Sequence, residues 1–381
     1  MKWIFCSRIG GSLSYQKKIC IVYAIFLYTI ISYAQGNAGY IAADESMTNE
    51  TRMLLTRLRA LPPRTFFFGQ QDALAYCVHW KGDEMRTDIS DVCGRFPSVF
   101  GWEISKYEQN HSSNIDGVPF ELIKKGIVLA YELGGINTVS WHVDNPVSGG
   151  SAWDTTIAVS KIIPGGSGNK KLNSFLDRVA LFFSTIKTKE GTLVPVIFRL
   201  WHENDGNWFW WGKDYCHPDE YRTLWQYTVH YLRDIKNVHN LLYAYSWSEL
   251  TDDSAYDEYY PGNNWVDIIG ADLYGDIDEQ KNIATLVFLN KEGLKNNKIT
   301  ALTEAGSKLL KSPNWFTRHL LYPIVDTPYA CDTKYVMIWR NAGEGSYYGA
   351  YAGSRASDDF MKFTQSPSVI LLPFSDTITL Y

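Results

Sequence analysis

The sequence predicts an α/β protein with a closed (β/α)₈ TIM barrel as its single catalytic domain, and three observations support this fold class. Short apolar runs rich in β-branched and aromatic residues recur along the chain, and stretches with helical periodicity lie between them. These alternating segments cover about 320 residues, which is within the usual size range of such a barrel. The main alternative is an open doubly wound sheet. It is disfavoured because no GxGxxG follows the first strand and no GxxxxGK[ST] occurs in the chain.

Eight runs are predicted as barrel strands, and each of them ends in polar or aromatic residues. In chain order they are Thr65–Gly69, Val99–Glu103, Asn137–His142, Val194–Trp201, Leu241–Trp247, Asp267–Tyr274, Ile299–Glu304 and Tyr335–Arg340. Helical periodicity is clearest in four of the intervening segments, Phe120–Leu133, Leu172–Lys187, Pro218–Lys236 and Gln280–Asn296. Because catalytic side chains in such barrels lie at the carboxyl ends of the strands, the polar strand ends are the candidate site.

The composition favours a carbohydrate ligand over a nucleic acid. The 381 residues include 36 Lys and Arg against 41 Asp and Glu, a net charge of −5, and no basic stripe is available to neutralise phosphates. Aromatic residues are frequent, with 14 Trp, 25 Tyr and 18 Phe. Flat aromatic faces suit sugar rings, which expose C–H patches on one face.

The first 34 residues are predicted to be a secretory signal peptide whose start site is uncertain, followed by the catalytic domain at 35–381. Lys17 and Lys18 precede the apolar run Ile19–Ile31, and the segment ends in the small-residue pattern Ser32–Gln35. The run is shorter than the ~20 residues of a membrane span, so we expect no stable span in the mature chain. An uncleaved amino-terminal anchor is the alternative. We therefore expect a secreted or periplasmic monomer, with attachment to the cell surface left open.

Cleavage after Ala34 would leave four cysteines, Cys77, Cys93, Cys216 and Cys331. In an exported protein they permit three full disulfide pairings, and the sequence does not choose among these or between disulfides and free thiols. Cys77 with Cys93 is the most local pair. No CxxC pair occurs, so a zinc site is not expected.

Two glutamates at strand ends carry the predicted chemistry. Glu203 follows the fourth strand in RLWHENDG, and Glu304 ends the seventh in TALTEAG. These strands lie on nearly opposite sides of an eight-stranded barrel, so their carboxylates can approach a bound sugar from two sides. Glycoside hydrolysis needs such a pair, one protonated and one ionised. Either residue alone could equally be a surface carboxylate or an ion-pair partner. For a retaining enzyme the two carboxyl groups should lie about 5–5.5 Å apart, whereas an inverting pair needs about 6.5–9.5 Å.

Other catalytic chemistries fail on spacing. His202 and Glu203 begin an HExxH pattern, but Gly206 occupies the position of the second His. No GxSxG elbow is present. His142 and His202 could share a metal, but no third ligand is evident. We therefore expect no metal and no cofactor.

Four segments of the sequence resemble glycoside hydrolase family 26, the β-mannanases. They are GQQDALAY at Gly69–Tyr76, VSWHVDNP at Val139–Pro146, RLWHENDGNWFWWG at Arg199–Gly212 and LTEAG at Leu302–Gly306. The similarity extends from about Gly69 to Arg340. Members of this family are retaining (β/α)₈ enzymes that mostly cleave β-1,4-mannosidic bonds in mannan, glucomannan or galactomannan. The resemblance implies a β-mannan polysaccharide or a manno-oligosaccharide as the substrate.

The resemblance also implies a role for each matching residue. Glu203 would be the acid/base and Glu304 the nucleophile, with His202 orienting the site and Tyr274 donating a hydrogen bond to Glu304. The substrate-binding residues would be His142 at the cleavage subsite, Trp208 on the leaving-group side, Trp339 as an aromatic floor, Arg340 at the next sugar outward and Trp153 in the cleft wall. Phe209, Trp210 and Trp211 should mostly pack the loop against the barrel. Glu103 stands where an Asp is expected in the family pattern, and Gly275-Asp276 follows Tyr274 where members vary.

The sequence therefore predicts a retaining β-1,4-mannanase. The alternatives are a β-glucanase or xylanase on the same scaffold, or a non-catalytic carbohydrate-binding protein. Six properties stay open, namely endo or exo action with mannobiose release, tolerance of galactose side chains, mannan or glucomannan preference, disulfide pairing, the true start site and the oligomeric state.

Overall fold

Eight parallel strands form the centre of the fold in a computed structural model that describes residues 39–82, 86–248, 253–275 and 279–373. The predicted signal peptide at 1–34 lies outside the described residues. In chain order the strands are β1 Phe66–Gln71, β2 Val99–Glu103, β3 Ile136–Ser140, β4 Val196–Arg199, β5 Leu241–Trp247, β6 Ile268–Tyr274, β7 Ile299–Gly306 and β8 Thr333–Ile338.

Each strand pairs in parallel with the next, and β8 pairs in parallel with β1. The closing register runs from Phe67 opposite Tyr335 to Gln70 opposite Ile338. The strands therefore form a closed eight-stranded barrel, which confirms the predicted fold class. Three short strand pairings flank the barrel. Val369–Ile370 runs parallel to the start of β1. Tyr76–Cys77 forms an antiparallel hairpin with Trp80–Lys81, and Arg95–Phe96 pairs with Leu372–Pro373 in antiparallel fashion.

The α-helices surround the barrel. They are Asn49–Arg59, Asp88–Cys93, Phe120–Glu132, Val159–Ile162, Asn169–Thr185, Pro218–His230, Asp253–Tyr259, Glu279–Asn296, Tyr322–Asp326 and Ser357–Gln365. The helix predicted at Pro218–Lys236 is α-helical to His230 and continues as a π-helical turn over Tyr231–Ile235. The described residues from Ile41 onward form one compact unit.

A close approach between a helix and a strand depends on Gly126, in the middle of helix Phe120–Glu132. A Cβ atom at this position would lie 2.2 Å from Cη2 of Trp102 on β2. The Trp102 ring is fully buried, and its Nε1 donates to Oδ1 of Asn137 on β3 at 2.9 Å. The absence of a side chain at Gly126 therefore lets the helix cover this part of the barrel wall.

The four cysteines predicted for the mature chain are all free thiols, so neither Cys77–Cys93 nor another pairing among them forms a disulfide. Sγ of Cys77 donates instead to the carbonyl of Ala73, and Sγ of Cys93 to that of Arg95. Among the described residues, no helix combines the length and the apolar character that crossing a membrane requires.

Candidate active site

The chain turns sharply after β4, and this turn positions Glu203. Trp201 and Glu203 have positive φ angles of 45° and 52°, which are uncommon for residues other than glycine and store strain. The turn is held from two sides. The hydroxyl of Tyr221 donates to the carbonyl of Trp201 at 2.7 Å, and the amide of Glu203 donates to the carbonyl of Ser246 on β5 at 2.8 Å. The sequence predicted a strand through Trp201, but β4 ends at Arg199 because the chain leaves the extended conformation here.

A β-bulge positions Glu304. Leu302 on β7 lies opposite Ala271 on β6, and the register then shifts so that Glu304 lies opposite Asp272. Such bulges bend a strand and change the direction of a side chain, and they are frequent next to active sites. This shift brings Glu304 beside the polar end of β6.

Three carboxylates meet at the mouth of the barrel. One oxygen from each of Glu203, Asp272 and Glu304 lies within 4.8 Å of the other two. The nearest oxygens of Glu203 and Glu304 are thus close enough for both carboxyl groups to face the same sugar unit.

Arg199 provides the positive charge of this cluster. Its guanidinium is buried, and it donates to Oδ2 of Asp272 at 2.9 Å and to Oε1 of Glu304. The second oxygen of Glu304, Oε2, accepts a hydrogen bond from the hydroxyl of Tyr274 at 2.5 Å. Both oxygens of Glu304 thus face donors that stabilise a negative charge, as a nucleophile requires. The three carboxylates could geometrically surround a cation, but Arg199 already contacts two of them.

Glu203 has the opposite electrostatic environment. Burial and then the negative charge of Asp272 raise the pKa of Glu203 well above the usual value of a glutamate. The indole Nε1 of Trp208 donates to Oε2 of Glu203 at 2.9 Å. Two carboxyl groups with different protonation states are the arrangement that acid/base assistance to a nucleophile needs.

A chain of hydrogen bonds runs behind the cluster from β2. Glu103 accepts from Nδ1 of His142 at 2.6 Å, and Nε2 of His142 lies 3.2 Å from Nε2 of His202. Burial raises the pKa of Glu103, but the charge and hydrogen bonds of His142 outweigh this and lower it overall. Burial, followed by the charges of Arg199 and His142, lowers the pKa of His202 well below its usual value, so His202 is neutral. Glu103, where the family pattern led us to expect Asp, therefore holds His142 in place, and both ring nitrogens of His142 have protein partners.

Aromatic side chains form the walls around the carboxylates. Trp153 is 50% exposed and stacks on the ring of His142 with a centroid distance of 5.4 Å. Trp208 is 37% exposed, whereas its neighbours Phe209, Trp210 and Trp211 are buried. The loop after β4 thus presents one indole and packs the other three rings against the barrel, as the sequence predicted.

Trp339 and Arg340 directly follow β8 rather than ending it. The amide of Trp339 donates to the carbonyl of Ala305, next to the nucleophile candidate, at 2.8 Å. The guanidinium of Arg340 lies 5.8 Å from the centroid of the Trp339 ring. It also pairs with Asp116 at 2.8 Å and donates to the hydroxyl of Tyr76 at 2.9 Å. The structure therefore places both residues in one polar and aromatic wall near Glu304.

The sequence did not identify Arg199, Asp272 and Glu103 as site residues. A signal existed for the first two, since Arg199 is a charged residue in the otherwise apolar strand VIFR, and Asp272 shares a face of β6 with Tyr274 two residues later. Glu103 was noted only as a departure from the family pattern. Gln71, at the end of β1, is buried, and neither the oxygen nor the nitrogen of its side chain has a protein partner among the described residues.

A parallel barrel with one glutamate in the turn after β4, a second on β7 and an aromatic cleft defines a glycoside hydrolase. The family model described as glycosyl hydrolase family 26 matches residues 43–332, and the chain belongs to this family. The resemblance noted in the sequence is thereby confirmed.

Several relatives are β-mannanases by name. A mannan endo-1,4-β-mannosidase from Bifidobacterium adolescentis is 33% identical in a 362-residue alignment that covers 88% of this chain and 36% of that protein. One from Bacillus subtilis is 29% identical over 49% of this chain and 52% of its own length. The chain thus spans about a third to a half of these two relatives. Among solved structures, a family 26 β-mannanase from Bacteroides ovatus superimposes with a TM-score of 0.81 at 38% identity, covering 85% of this chain and 95% of that one. A modular endo-β-1,4-mannanase from Cellulomonas fimi superimposes with a TM-score of 0.80 at 32% identity. The match covers 88% of this chain and 78% of that one.

Proposed function

We propose that this protein is an endo-β-1,4-mannanase that hydrolyses its substrate with net retention of anomeric configuration. The observation that carries the proposal is the carboxyl pair at the barrel mouth. Glu304 accepts hydrogen bonds on both oxygens, and Glu203, whose pKa is raised, has an oxygen within 4.8 Å of it. This is the geometry of a nucleophile beside a general acid.

In the first step, one oxygen of Glu304 attacks the anomeric carbon and forms an ester bond to the sugar. The glycosidic carbon–oxygen bond breaks, and Glu203 transfers its proton to the departing oxygen. Glu304 loses its charge as the ester forms. Arg199 retains Asp272 as a counter-ion at 2.9 Å, so its buried charge stays paired during the step.

In the second step, Glu203 acts as a base. It removes a proton from water, the water oxygen attacks the anomeric carbon, and the bond to Glu304 breaks. The proton that Glu203 gave to the leaving group is thereby restored, and two inversions give net retention. Asp272 takes part by stabilising the protonated form of Glu203 before each cycle begins.

The aromatic walls bind the sugar rings. Trp339 provides a floor beside Glu304, and Trp208, whose indole N–H is bonded to Glu203, lies on the side of the leaving group. Trp153 and the neutral His202 shape the cleft around His142. Because both ring nitrogens of His142 have protein partners, this residue acts on the sugar through its ring edge and by fixing His202.

Mannan as the substrate is supported by the relatives, several of which are named mannan endo-1,4-β-mannosidases. β-Glucan and xylan are not favoured. The test is incubation with mannohexaose, cellohexaose and xylohexaose, with the anomeric protons followed by NMR. We expect cleavage of mannohexaose alone and the β-anomer as the first product. Exclusive cleavage of another hexaose would overturn the substrate, and the α-anomer appearing first would overturn the retaining mechanism.

Export is a further part of the proposal. It is supported by the basic residues Lys17 and Lys18, the apolar run Ile19–Ile31 and the small-residue pattern that ends near Ala34. Amino-terminal sequencing of the protein from a culture supernatant or periplasm should give Gln35 as the first residue. Recovery of the intact chain in the cytoplasmic fraction would contradict it.

A further inference from the structure

Thr303 is the extra residue of the bulge in β7. Leu302 lies opposite Ala271 on β6, and the next paired residue of β7 is Glu304, opposite Asp272. Thr303 is only 1% exposed, and the two steps of the proposed reaction use neither its hydroxyl nor its methyl group. A buried hydroxyl group therefore lies one residue before the nucleophile, and its contacts indicate what it does.

The hydroxyl of Thr303 makes one short hydrogen bond. It donates to Oδ1 of Asp272 at 2.6 Å, whereas the carbonyl oxygen of Ala271 is 3.3 Å away. A hydroxyl group has a single proton to donate, so it serves the nearer carboxylate oxygen. The other oxygen of Asp272, Oδ2, accepts from Arg199 at 2.9 Å. Both oxygens of Asp272 thus face donors, and such donors favour the ionised form of a carboxyl group.

Strand β6 leaves room for the Thr303 side chain at Gly270. A Cβ atom at position 270 would lie 2.5 Å from both Oγ1 and Cγ2 of Thr303, and 2.9 Å from Cβ of Ser246. A side chain at position 270 would therefore displace Thr303 from its place. Because Gly270 has none, the hydroxyl of Thr303 is held in a fixed position against Asp272.

The charge state of Asp272 matters because Glu203 is close to it. One oxygen of Glu203 lies within 4.8 Å of an oxygen of Asp272. Two carboxyl groups this close resist ionising together, so the pair retains one proton over a range of pH. The other titratable groups around Asp272 are Arg199 on β4, Tyr274 on β6, Glu304 on β7, Tyr335 on β8 and His142 after β3. The first step needs the shared proton on Glu203, so it depends on which of the two groups holds that proton.

We propose that Thr303 is a positioning residue whose hydroxyl holds Asp272 ionised and thereby keeps the shared proton on Glu203, the general acid. The assignment rests on the proposed function. Burial raises the pKa of Asp272, whereas the charge of Arg199 and then the hydrogen bond from Thr303 lower it. Without the hydroxyl, Asp272 binds the proton more tightly. A larger share of the enzyme then has Glu203 ionised, and this form cannot protonate the leaving oxygen.

The experiment compares Thr303→Val with wild type on two substrates that differ in their need for an acid. Valine keeps the β-branched shape of threonine and removes only the hydroxyl, so the bulge retains its side chain. Mannohexaose has a leaving group that must be protonated, and its kcat/KM should fall about tenfold, as the loss of a hydrogen bond to a charged group allows. Dinitrophenyl β-mannobioside has a leaving group that needs little protonation, and its kcat/KM should stay within about twofold of wild type.

The pH profile is a second readout, and a purely structural role would not change it. In Thr303→Val the alkaline limb of kcat/KM on mannohexaose should move to higher pH while the plateau falls. The reason is that the pair holds its last proton more tightly but holds more of it on Asp272. Asp272→Asn removes the charge beside Glu203 and should move the limb in the opposite direction. Thr303→Ser keeps the hydroxyl and should restore both the plateau and the limb.

Thr300→Val is the matched control. Thr300 lies near the start of the same strand, is also 1% exposed and donates its hydroxyl to the carbonyl of Asp332. This variant should keep the wild-type kcat/KM on both substrates. Thr303→Ala also lacks the hydroxyl of Thr303 and should show the same substrate dependence, so the test does not rely on the folding of Thr303→Val alone.

Three results would overturn the role of Thr303. They are wild-type kcat/KM on mannohexaose in the folded variants, equal losses on both substrates, and an alkaline limb that moves to lower pH. Equal losses would show that Thr303 acts on the nucleophile Glu304 instead of the general acid. Each of these results leaves the mannanase proposal intact, whereas wild-type protein that cleaves neither substrate would overturn both.

Discussion

The hydroxyl of Tyr274 donates a hydrogen bond of 2.5 Å to Oε2 of Glu304. Hydrogen bonds to a charged group contribute about 1.5–3 kcal/mol, so Tyr274→Phe should lower kcat/KM on mannohexaose by about 10–100-fold. Tyr348→Phe is the control, because the Tyr348 ring packs edge-on against Tyr274 at 5.7 Å without contacting Glu304 through a hydrogen bond. Equal kcat/KM in Tyr274→Phe and wild type would show that this bond does not assist the nucleophile.

Asp272 is expected to set the alkaline limb of the pH profile. The first step needs Glu203 protonated, so kcat/KM falls as the pH rises through the pKa of Glu203. Burial and the charge of Asp272 hold this pKa high. Asp272→Asn removes the charge, lowers the pKa of Glu203, and should move the alkaline limb to lower pH. The charge of Asp205 also raises the pKa of Glu203, but by less than that of Asp272. Asp205→Asn should therefore move the alkaline limb in the same direction by a smaller amount. An unmoved or upward-shifted limb in folded Asp272→Asn would contradict this account.

Asp72 should make the folded state less stable as the pH rises. Burial, and then the charge of Asp116, raise its pKa to about 7, whereas an unfolded Asp ionises near 3.9. The folded state thus holds a proton that the unfolded state has lost, so stability is highest below the unfolded pKa and falls as the pH rises through about 7. The loss amounts to up to about 4 kcal/mol at 1.36 kcal/mol per unit.

Asp72→Asn cannot ionise, and it keeps an acceptor for the hydroxyl of Tyr76, which donates to Oδ2 of Asp72 at 2.7 Å. Asn also tolerates the positive φ of 55° at this position. The Tm of this variant relative to wild type should therefore rise more at pH 8 than at pH 4.5, as followed by circular dichroism. Asp358→Asn, at an exposed carboxylate, should show no such difference. A gain confined to pH 4.5 would reverse the sign and refute the assignment.

Trp339 is expected to act on the substrate rather than on stability. Its side chain is only partly buried, so Trp339→Ala should lower kcat/KM on mannohexaose strongly, by about 10–100-fold, with a small change in Tm. Trp315→Ala provides the contrast, because Trp315 is buried and its truncation should cost about 3–5 kcal/mol of stability. If Trp339→Ala loses stability as Trp315→Ala does and keeps its activity when folded, Trp339 belongs to the core.

The barrel and its strand ends could be predicted from the sequence because both depend on local pattern. The runs that became β2 and β5 have the predicted bounds, Val99–Glu103 and Leu241–Trp247, since apolar residues and turn signals mark them clearly. Glu203 and Glu304 could be identified because their strands end at the same rim. The charge of Arg199 within an apolar strand was a signal, but its partner could not be read from the sequence, because the ion pair with Glu304 joins positions 105 residues apart.

Backbone departures from regular geometry were also beyond the sequence pattern. The positive φ of Trp201 ends β4 early, and the bulge in β7 changes the direction of the Glu304 side chain. Neither position carries a glycine, which would have indicated an irregular backbone in the sequence. Similarly, the link from Glu103 through His142 to His202 depends on the register between β2 and β3. These features are set by tertiary packing, which over-determines local preference at functional sites.

The most direct test of the account is the product that azide forms with Glu203→Ala. A dinitrophenolate leaving group needs little protonation, so this variant should still form the covalent intermediate from dinitrophenyl β-mannobioside, in a burst followed by slow turnover. Azide needs no base and should speed turnover. We expect a β-mannobiosyl azide, which would show that Glu304 remains as the nucleophile. An α-mannobiosyl azide from the same variant would show direct attack at a site without its nucleophile, and the roles of Glu203 and Glu304 would then be exchanged.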